Sequence, residues 1–435
     1  ISGNAQFEGT QPFAQKYTGH QFGHYNPDLG DGRGVLLGEV KTNSGRWDLH
    51  VKGAGQTPYS RFGDGRAVLR SCIREFLASE ALYHLGISTS RALGVYTTGE
   101  SVQRETVEQG AALLRVCESH IRFGHFEYAF YQQNNDLLTR LVNYTYDFVL
   151  PKQIVVKNKG LNDSEKAFSV LKHAVSSTAE TVAKWQAFGF CHGVMNTDNM
   201  SILGMTFDFG PYGFLDQYNP SHICNHSDHS GRYAYDEQPG VALWNLNALG
   251  HALSPLLDKE QIGELLKQYE PKLLSTYSEL MRSKMGLFTE TESDRQLLGE
   301  LLAIMKMDKS DYTNTWRNLS DWQDPDNAMT EQQFIDTFIS RDVISAWLKK
   351  YQQRLEIESQ TQKQRTTLMK SVNPKYVLRN YLAQEAIEQA EQGNTDKLDK
   401  LFEVLKHPFD EQAENSEFAK LPPDWSQEMS ISCSS

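Results

Sequence analysis

The chain has 435 residues, of which 39% are hydrophobic and 23% are charged, and its formal net charge at pH 7 is −12. This length and composition predict a folded protein of two or three domains, or one bilobal enzyme. The acidic balance disfavours nucleic acid as a partner, because neutralising phosphates requires clustered Lys and Arg. The sequence shows no long apolar run and no charged-then-apolar leader, so we expect neither a membrane span nor secretion.

The first predicted elements are a glycine-rich loop and a β-hairpin. Residues 19–34 contain five glycines and are predicted as a loop, residues 35–40 as a strand, and residues 43–45 as a reversing turn. Alternating apolar and polar residues over 47–52 predict a second strand. The loop therefore leads into a hairpin that ends in Lys52.

Helical patterns dominate the rest of the chain. A second glycine-bearing loop at residues 61–66 precedes helical spacing over residues 67–85, with Gly86 as a stop and Glu75 beside the apolar stripe. Short apolar runs follow, and from about residue 118 the patterns are mostly helical. Further amphipathic helices are predicted at residues 137–150, 164–190, 241–257, 259–285, 294–307 and 331–359.

Strands first and helices later predict an α+β fold with two lobes. We place a small β-rich lobe at residues 1–117, a larger helical lobe at residues 118–407, and a polar tail at residues 408–435. The composition of the tail predicts partial disorder.

The most informative motif resembles the catalytic loop of a protein kinase with one residue replaced. In kinases a His is followed at fixed spacings by a catalytic Asp and an Asn, and a later Asp-Phe-Gly supplies a second metal ligand. His192, Asn199 and Asp208 keep this pattern, but Val194 stands where the catalytic Asp belongs. Any group transfer must therefore use a different base.

Three features together predict a nucleotide site, although each is weak alone. Glycines let backbone N–H groups approach phosphate oxygens, Lys52 offsets their charge, and Glu75 orients Lys52. Asn199 and Asp208 are oxygen ligands suited to Mg²⁺ that bridges nucleotide phosphates; alternatively, they cap and begin turns.

Asp198 is the nearest carboxylate without an evident ligand role. It is either the base that deprotonates an acceptor hydroxyl or a group that orients Asn199. Arg115 and Arg122 flank the predicted junction between the lobes, where guanidinium groups hold phosphates well. They suit a reversed nucleotide, with its β- and γ-phosphates at the arginines and its α-phosphate at the metal; a structural salt bridge is the alternative.

The cysteines indicate the cellular compartment and include two candidate redox residues. Five widely spread cysteines without a CxxC pair favour a reducing compartment, and we expect the cytoplasm. Cys433 lies in a polar tail where no core requires it, so it is either a reactive thiol or a harmless one. Residues 222–229 contain three His and Cys224, which allows a zinc site, but a regulatory thiol at Cys224 is an equal alternative.

These motifs, with YTGHQFG at residues 17–23, KGAGQTPYSR at residues 52–61 and SCSS at residues 432–435, resemble the selenoprotein O family and its bacterial, cysteine-containing members. The resemblance covers essentially the whole chain. The family is similar to protein kinases in fold and was long classed as pseudokinases, but its members are protein adenylyltransferases. They bind ATP in a flipped orientation, transfer AMP to Ser, Thr or Tyr hydroxyls of proteins, and release pyrophosphate.

The resemblance implies roles for individual residues. It makes Asp198 the proton acceptor, and Asn199 and Asp208 the ligands of Mg²⁺ or Mn²⁺. The residues that it implies for nucleotide binding are Gly30, Gly32, Arg33, Lys52, Asp64, Gly65, Arg115, Arg122 and Asp208.

It also implies UMP transfer from UTP with Mn²⁺ as a second activity. Cys433 stands where the family has selenocysteine, and we hypothesise a regulatory disulfide between Cys224 and Cys433. We expect an N-terminal segment of the family to be missing before Ile1, and a monomer that acts on proteins. The alternatives are γ-phosphoryl transfer, which Val194 disfavours, and a non-catalytic nucleotide-binding scaffold, which the retained metal ligands disfavour.

Overall fold

The computed structural model describes residues 9–43, 45–155, 160–326 and 329–429. The first part is rich in strands and the rest is helical, which confirms the predicted mixed α+β class. The strands are β1 (Lys16–Gln21), β2 (His24–Gly30), β3 (Gly34–Lys41), β4 (Arg46–Lys52), β5 (Ala67–Val68), β6 (Arg91–Gln103), β7 (Val107–Cys117), β8 (Phe190–Cys191) and β9 (Gly213–Phe214).

The main sheet has five antiparallel strands. β3 pairs with β4, β4 pairs with β7, and β7 also pairs with β5 and β6. The predicted strands at residues 35–40 and 47–52 lie within β3 and β4. The register sets His50 opposite Arg115 and Lys52 opposite Leu113. Lys52 and Arg115 are therefore diagonal neighbours on one face of the sheet, within reach of a common partner.

The prediction of a loop over residues 19–34 was wrong in its first part. Residues 16–30 form a separate antiparallel hairpin, β1–β2, which reverses at Phe22 and Gly23 with φ of 50° and 82°. The glycines misled because they usually mark loops, whereas here they lie at the turn and at close backbone contacts. The hairpin packs on helix α2 (Phe123–Tyr131) rather than on the main sheet.

The remaining helices follow the predicted pattern with several breaks. Residues 67–85 begin with the short strand β5 before the helix starts, and residues 145–149 form a π-helical turn after α3. The other α-helices are α1 (Leu69–His84), α3 (Asn135–Tyr144), α4 (Asp163–Phe188), α5 (Gln238–Ala252), α6 (Lys259–Leu266), α7 (Tyr269–Lys284), α8 (Asp294–Asp308), α9 (Tyr312–Trp322), α10 (Glu331–Ile335), α11 (Arg341–Leu355), α12 (Gln362–Val372), α13 (Asn380–Glu391) and α14 (Asp396–Lys406).

Two of the predicted long helices are each divided in two. Residues 259–285 form α6 and α7, because Pro271 fits the first turn of a helix but not its interior. Residues 331–359 form α10 and α11; Asp308 accepts hydrogen bonds from the Ser340 N–H and hydroxyl, at 2.8 and 2.7 Å, and holds the chain at the break.

Of the tail whose composition predicts partial disorder, the structure describes residues 408–429. Short 3₁₀ turns occur at Ala413–Ala419 and Asp424–Glu428, and Phe418 is buried. One buried aromatic side chain anchors a segment whose composition is otherwise polar. Residues 430–435 lie outside the described residues.

The largest core cluster runs through both predicted lobes. It includes Leu77 of α1, Phe126 of α2, Val182 of α4 and Leu405 of α14, and α13 and α14 pack against α1. This shared core holds the sheet and the helices in a fixed relation on either side of the cleft described below. Within the described ranges, no helix combines the length and apolar character needed to cross a bilayer.

Candidate active site

The chain enters the predicted catalytic loop, residues 192–199, directly after α4 and the short strand β8. The His192 Nε2–H donates to the Phe207 carbonyl at 3.0 Å, and His192 Nδ1 accepts the Val194 N–H at 3.4 Å. Burial lowers the pKa of His192, so the ring is neutral at pH 7 and can play both roles. His192 thus ties the catalytic loop to the segment that carries Asp208.

A chain of buried ion pairs crosses the cleft from the sheet to Asp208. Lys52 Nζ lies 2.6 Å from Glu75 Oε2, and Arg115 binds both oxygens of the same carboxylate. Arg115 Nη1 also lies 2.9 Å from Asp208 Oδ1, and Arg122 Nη1 pairs with Asp208 Oδ2. Two arginines and one lysine therefore share two carboxylates.

These ion pairs determine the charge states of Glu75 and Asp208. Burial alone would raise the pKa of Glu75, but Arg115 and Lys52 outweigh it and lower that pKa to about 2. Burial would likewise raise the pKa of Asp208, and Arg122 and Arg115 hold it far below the usual range. Both carboxylates are therefore ionised at pH 7.

The Arg122 guanidinium is fixed from several sides. It lies between the rings of Tyr17 and Phe207, at 4.6 and 4.7 Å from their centroids, and Nη1 donates to the Asp198 carbonyl at 2.8 Å. Aromatic faces attract a guanidinium and restrict its rotation. This arrangement holds Arg122 ready for an anion in the cleft.

Asp198 is in a very different environment from Asp208. It is 7% exposed, its buried Oδ1 atom has no hydrogen-bond partner among the described residues, and Oδ2 receives the Gln21 amide at 3.4 Å. Burial raises the pKa of Asp198 to about 7, and the more distant charge of Arg122 only partly opposes it. A carboxylate with a pKa near neutrality and one free oxygen is suited to accept a proton.

The side chain of Asn199 is oriented with its oxygen free. Its Nδ2 donates to the Val194 carbonyl at 3.1 Å, and within the described part of the chain its Oδ1 remains available as an acceptor. Asn199 and Asp208 both line the cleft, so an amide oxygen and a carboxylate face the same space. These are the oxygen ligands that a hard divalent cation prefers.

The second glycine-bearing loop forms another part of the cleft wall. Gly65 has φ of 69°, and a Cβ there would lie 2.1 Å from the Gly55 carbonyl oxygen, so only glycine fits. Beside it, Asp64 receives two bonds from Arg104 at 2.8 and 3.0 Å. These bonds lower the pKa of Asp64 and fix its carboxylate at the rim.

One cleft of about 740 Å³ brings together the residues predicted for nucleotide binding, metal binding and proton transfer. Glu75 is the exception, because it lies behind the wall and acts through Lys52 and Arg115. Arg33 is exposed at the cleft. The predicted residues that line the cleft are Gly30, Gly32, Arg33, Lys52, Asp64, Gly65, Arg115, Arg122, Asp198, Asn199 and Asp208.

The sequence reasoning missed several residues of the cleft. Tyr17 and Gln21 belong to the motif at residues 17–23, which was noted as a family motif but given no role. Arg104 and His50 also line the cleft, and His50 contacts Asp31 at 3.3 Å. Strand alternation could have found His50, because it shares a face with Lys52; no sequence signal pointed to Arg104.

Comparison with known proteins agrees with this geometry. The family model described as protein adenylyltransferase SelO matches residues 1–406. The chain belongs to the SelO family. Proteins named protein nucleotidyltransferase YdiU from Vibrio vulnificus and Pseudoalteromonas atlantica are 50% and 52% identical to it over 100% of this chain, covering 88% and 89% of theirs. The predicted enzyme class, a nucleotidyltransferase, is confirmed.

The cysteines of this SelO-family chain do not occupy the environment that the redox hypothesis assumed. Cys224 is 8% exposed, and its Sγ lies 3.4 Å from Sγ of Cys191. The hydrogen bond with Cys191, and then burial, raise the pKa of Cys224, which disfavours the reactive thiolate. Cys433 lies outside the described residues, so the proposed disulfide stays a prediction.

The zinc alternative at residues 222–229 is wrong. This segment lies within the described ranges, and no group of three or more His, Cys, Asp or Glu side chains able to hold a metal occurs there or elsewhere in them. Zinc sites need three or four such ligands around one point. The His residues of this segment therefore have no shared ligand geometry.

Proposed function

We propose that the chain transfers AMP from ATP to Ser, Thr or Tyr hydroxyls of proteins and releases pyrophosphate. The observation that carries this proposal is the pairing, in one cleft, of an ionised Asp208 between two arginines with a partly unsatisfied Asp198 of raised pKa. The first arrangement suits polyphosphate and metal binding, and the second suits proton removal from an acceptor. Membership of a family of protein adenylyltransferases supports the same assignment.

The fold proposed for this activity is bilobal and kinase-like. Support comes from the order of the parts: a sheet with Lys52, a helix with Glu75, and then His192, Asn199 and Asp208. We retain residues 1–117 as the N-lobe, residues 118–407 as the C-lobe and residues 408–435 as the tail. The end of β7 at Cys117 agrees with that first boundary.

The nucleotide is proposed to bind in the flipped orientation. Arg115 and Arg122 pair with Asp208, and Lys52 pairs with Glu75, which Arg115 also binds, so three cations lie together on one part of the cleft wall. The β- and γ-phosphates would bind these cations, and the α-phosphate would lie beside Asp198. The nucleoside would then extend toward the rim at Asp64, with Gly30, Gly32, Arg33 and Gly65 along the wall.

The residues fit a divalent cation of the Mg²⁺ or Mn²⁺ type. Asn199 presents a free amide oxygen and Asp208 an ionised carboxylate, and phosphate oxygens and water complete such sites. A bound cation would neutralise phosphate charge in the transition state. Because Asp208 is paired with both arginines in this structure, nucleotide binding must exchange those pairs for contacts to phosphate.

The proposed step is an in-line displacement at the α-phosphorus. The acceptor oxygen forms a bond to the α-phosphorus, the bond from the α-phosphorus to its bridging oxygen breaks, and pyrophosphate leaves. The hydroxyl proton passes to the carboxylate of Asp198, while Lys52, Arg115 and Arg122 stabilise the charge on pyrophosphate. Val194 contributes no acid or base, which agrees with a base at Asp198 instead.

UTP, with Mn²⁺ as the cation, is a second candidate substrate, because the phosphate contacts do not depend on which nucleobase the nucleotide carries. A non-catalytic scaffold is not favoured, since a binding protein does not need a free carboxylate oxygen beside the phosphate site.

One labelling experiment tests the proposal. The protein is incubated with an acceptor protein, Mg²⁺ or Mn²⁺, and ATP labelled at either the α or the γ position. We expect protein-bound label only from α-labelled ATP. Label only from the γ position would overturn the proposal in favour of a kinase, and intact nucleotide binding without any label would favour a scaffold.

A further inference from the structure

The β1–β2 hairpin holds the catalytic loop at three consecutive residues. Three consecutive residues at the turn of the hairpin provide the contacts, and none of the three has a role in the function proposed above. The contacts are Phe22 N–H to Asn196 Oδ1 at 3.3 Å, His20 N–H to Thr197 Oγ1 at 2.7 Å, and Gln21 Nε2 to Asp198 Oδ2 at 3.4 Å.

A chain of hydrogen bonds sets the direction of the Gln21 amide. The Asp28 backbone N–H can only donate, and it donates to Asn26 Oδ1 at 3.0 Å. Asn26 must then use Nδ2 as its donor, which it gives to Gln21 Oε1 at 3.1 Å. Gln21 in turn directs Nε2 toward Asp198. The hairpin therefore presents a donor to Asp198 Oδ2, while Oδ1 is buried against the β1 backbone at Gly19.

The hairpin backbone also lies directly against Asp198. A Cβ at Gly19 would come within 2.8 Å of Asp198 Oδ1 and 3.0 Å of Asp198 Cβ. Any side chain at residue 19 would displace the carboxylate. Glycine at this residue is thus a requirement of the close approach between β1 and the catalytic loop.

Thr197 and helix α2 hold the hairpin in place. The Thr197 hydroxyl donates to Glu127 Oε2 at 2.5 Å while it accepts the His20 N–H, so its single proton and one lone pair are both used. Glu127 Oε1 lies 2.5 Å from His20 Nδ1, and the Glu127 side chain is 1% exposed. The hairpin, α2 and the loop form one hydrogen-bonded unit around Asp198.

We infer that Gln21 is a positioning residue for AMP transfer: its amide donates to Oδ2 of Asp198 and fixes the orientation of the carboxylate that receives the acceptor proton. The β1–β2 hairpin is then part of the catalytic apparatus. Gln21 and Asp198 line the same cleft, so the contact is made at the reaction site. The inference rests on the proposed role of Asp198 as the base. The long contact is typical of catalytic hydrogen bonds without substrate, which shorten in the reacting complex.

The first test compares Gln21→Met and Gln21→Ala with the wild type. Met has a similar length but no amide, so it removes the hydrogen bond with little change in packing. We expect transfer of α-label at saturating ATP to fall about 10–100-fold, as for the loss of a hydrogen bond to a charged group. The Kd for ATP and the Tm should be unchanged. Gln109→Ala, at an exposed glutamine of β7, is the matched control and should keep wild-type transfer.

The second test asks whether Gln21 acts through Asp198. In an Asp198→Asn background, Gln21→Met should cause no further loss, because the carboxylate it holds is already gone. Gly19→Ala should lower transfer in the wild-type background, whereas Gly299→Ala, where a Cβ meets nothing within 4 Å, should not.

The outcomes separate this inference from the proposed function. Full activity of Asp198→Asn would overturn both. An inactive Asp198→Asn together with a fully active Gln21→Met would overturn only the role of Gln21. Multiplying losses in the double variant, or a weakened Kd for ATP in Gln21→Met, would also overturn it, because Gln21 would then act on folding or on the nucleotide.

Discussion

Asp198 and Asp208 lie in the same cleft, but their surroundings give them opposite properties. Asp208 is bound by two arginines and has a strongly lowered pKa, whereas Asp198 is buried beside one amide and has a pKa raised to about 7. The difference arises from neighbouring charge and not from residue type, since both are aspartates, Asp208 within the kinase-like motifs and Asp198 directly before Asn199. One carboxylate is prepared to remain charged, and the other to exchange a proton.

The largest expected effect is the loss of activity in Asp208→Ala. Removing this carboxylate deletes a proposed metal ligand and leaves Arg115 and Arg122 without their partner, so we expect transfer to fall by at least about 10³-fold. The α-label assay measures it, and circular dichroism checks the fold. Asp136→Asn is the control, because its side chain is 84% exposed. Undiminished transfer in Asp208→Ala would remove the metal role.

The second prediction is that Asn substitutions at the two residues change stability in opposite directions at pH 8, in EDTA and without nucleotide. A folded pKa raised to about 7 means that Asp198 contributes stability below its unfolded pKa, near 4, and loses that contribution as pH rises through about 7. Asp198→Asn should therefore raise the free energy of unfolding at pH 8, by up to about 4 kcal/mol.

Substitution of Asp208 should change the free energy of unfolding in the opposite direction. Its lowered pKa contributes stability above the unfolded value, and this contribution is lost as pH falls below about 4. Asp208→Asn should lower the free energy of unfolding at pH 8 by about 3–5 kcal/mol, as expected for breaking a buried ion pair. Urea unfolding at pH 8 and pH 5 measures both variants. If both variants changed the free energy of unfolding in the same direction and by the same amount, the surroundings of Asp198 and Asp208 would not differ in charge as described.

The third prediction concerns the pH dependence of the reaction. A base works only when deprotonated, so transfer at saturating ATP should fall as pH drops through the pKa of Asp198, with a limit of about tenfold per pH unit. A bound cation lowers that pKa, so the midpoint should lie at or below the value of about 7 found without it. Rates measured from pH 5 to 8.5 test this. A profile without an acidic limb would argue against Asp198 as the base.

The two carboxylates also show what the sequence could predict. The motif pattern identified Lys52, Glu75, Asn199 and Asp208, because spacing relative to glycines and strands is local information. The sequence also suggested Asp198 by elimination. It could not reveal that Gln21 contacts Asp198, because that contact joins residues 177 apart in the chain. The glycines that permit this contact instead predicted a loop.

The secondary structure was predicted correctly where the hydrophobic periodicity is strong. It was missed where local residues or tertiary packing set the ends of an element. β3, β4 and α4 correspond closely to their predicted ranges, whereas the division of residues 259–285 depends on Pro271 and that of residues 331–359 on a distant capping residue. The order of residues 408–429 depends on burial of Phe418, which a polar composition conceals.

The smallest expected effect is at the rim of the cleft. An aspartate there is paired with an arginine, as Asp208 is, but the pair is exposed to solvent. Asp64 is paired with Arg104 by two bonds, yet its side chain is 44% exposed. Exposed ion pairs contribute at most about 1 kcal/mol, so Arg104→Ala should raise the KM for ATP by about fivefold or less, with kcat unchanged. Arg140→Ala, at a side chain that is 76% exposed, is the control. If kcat also fell, Arg104 would have to contact the reacting phosphates, and the flipped orientation, which puts the nucleoside at this rim, would be contradicted.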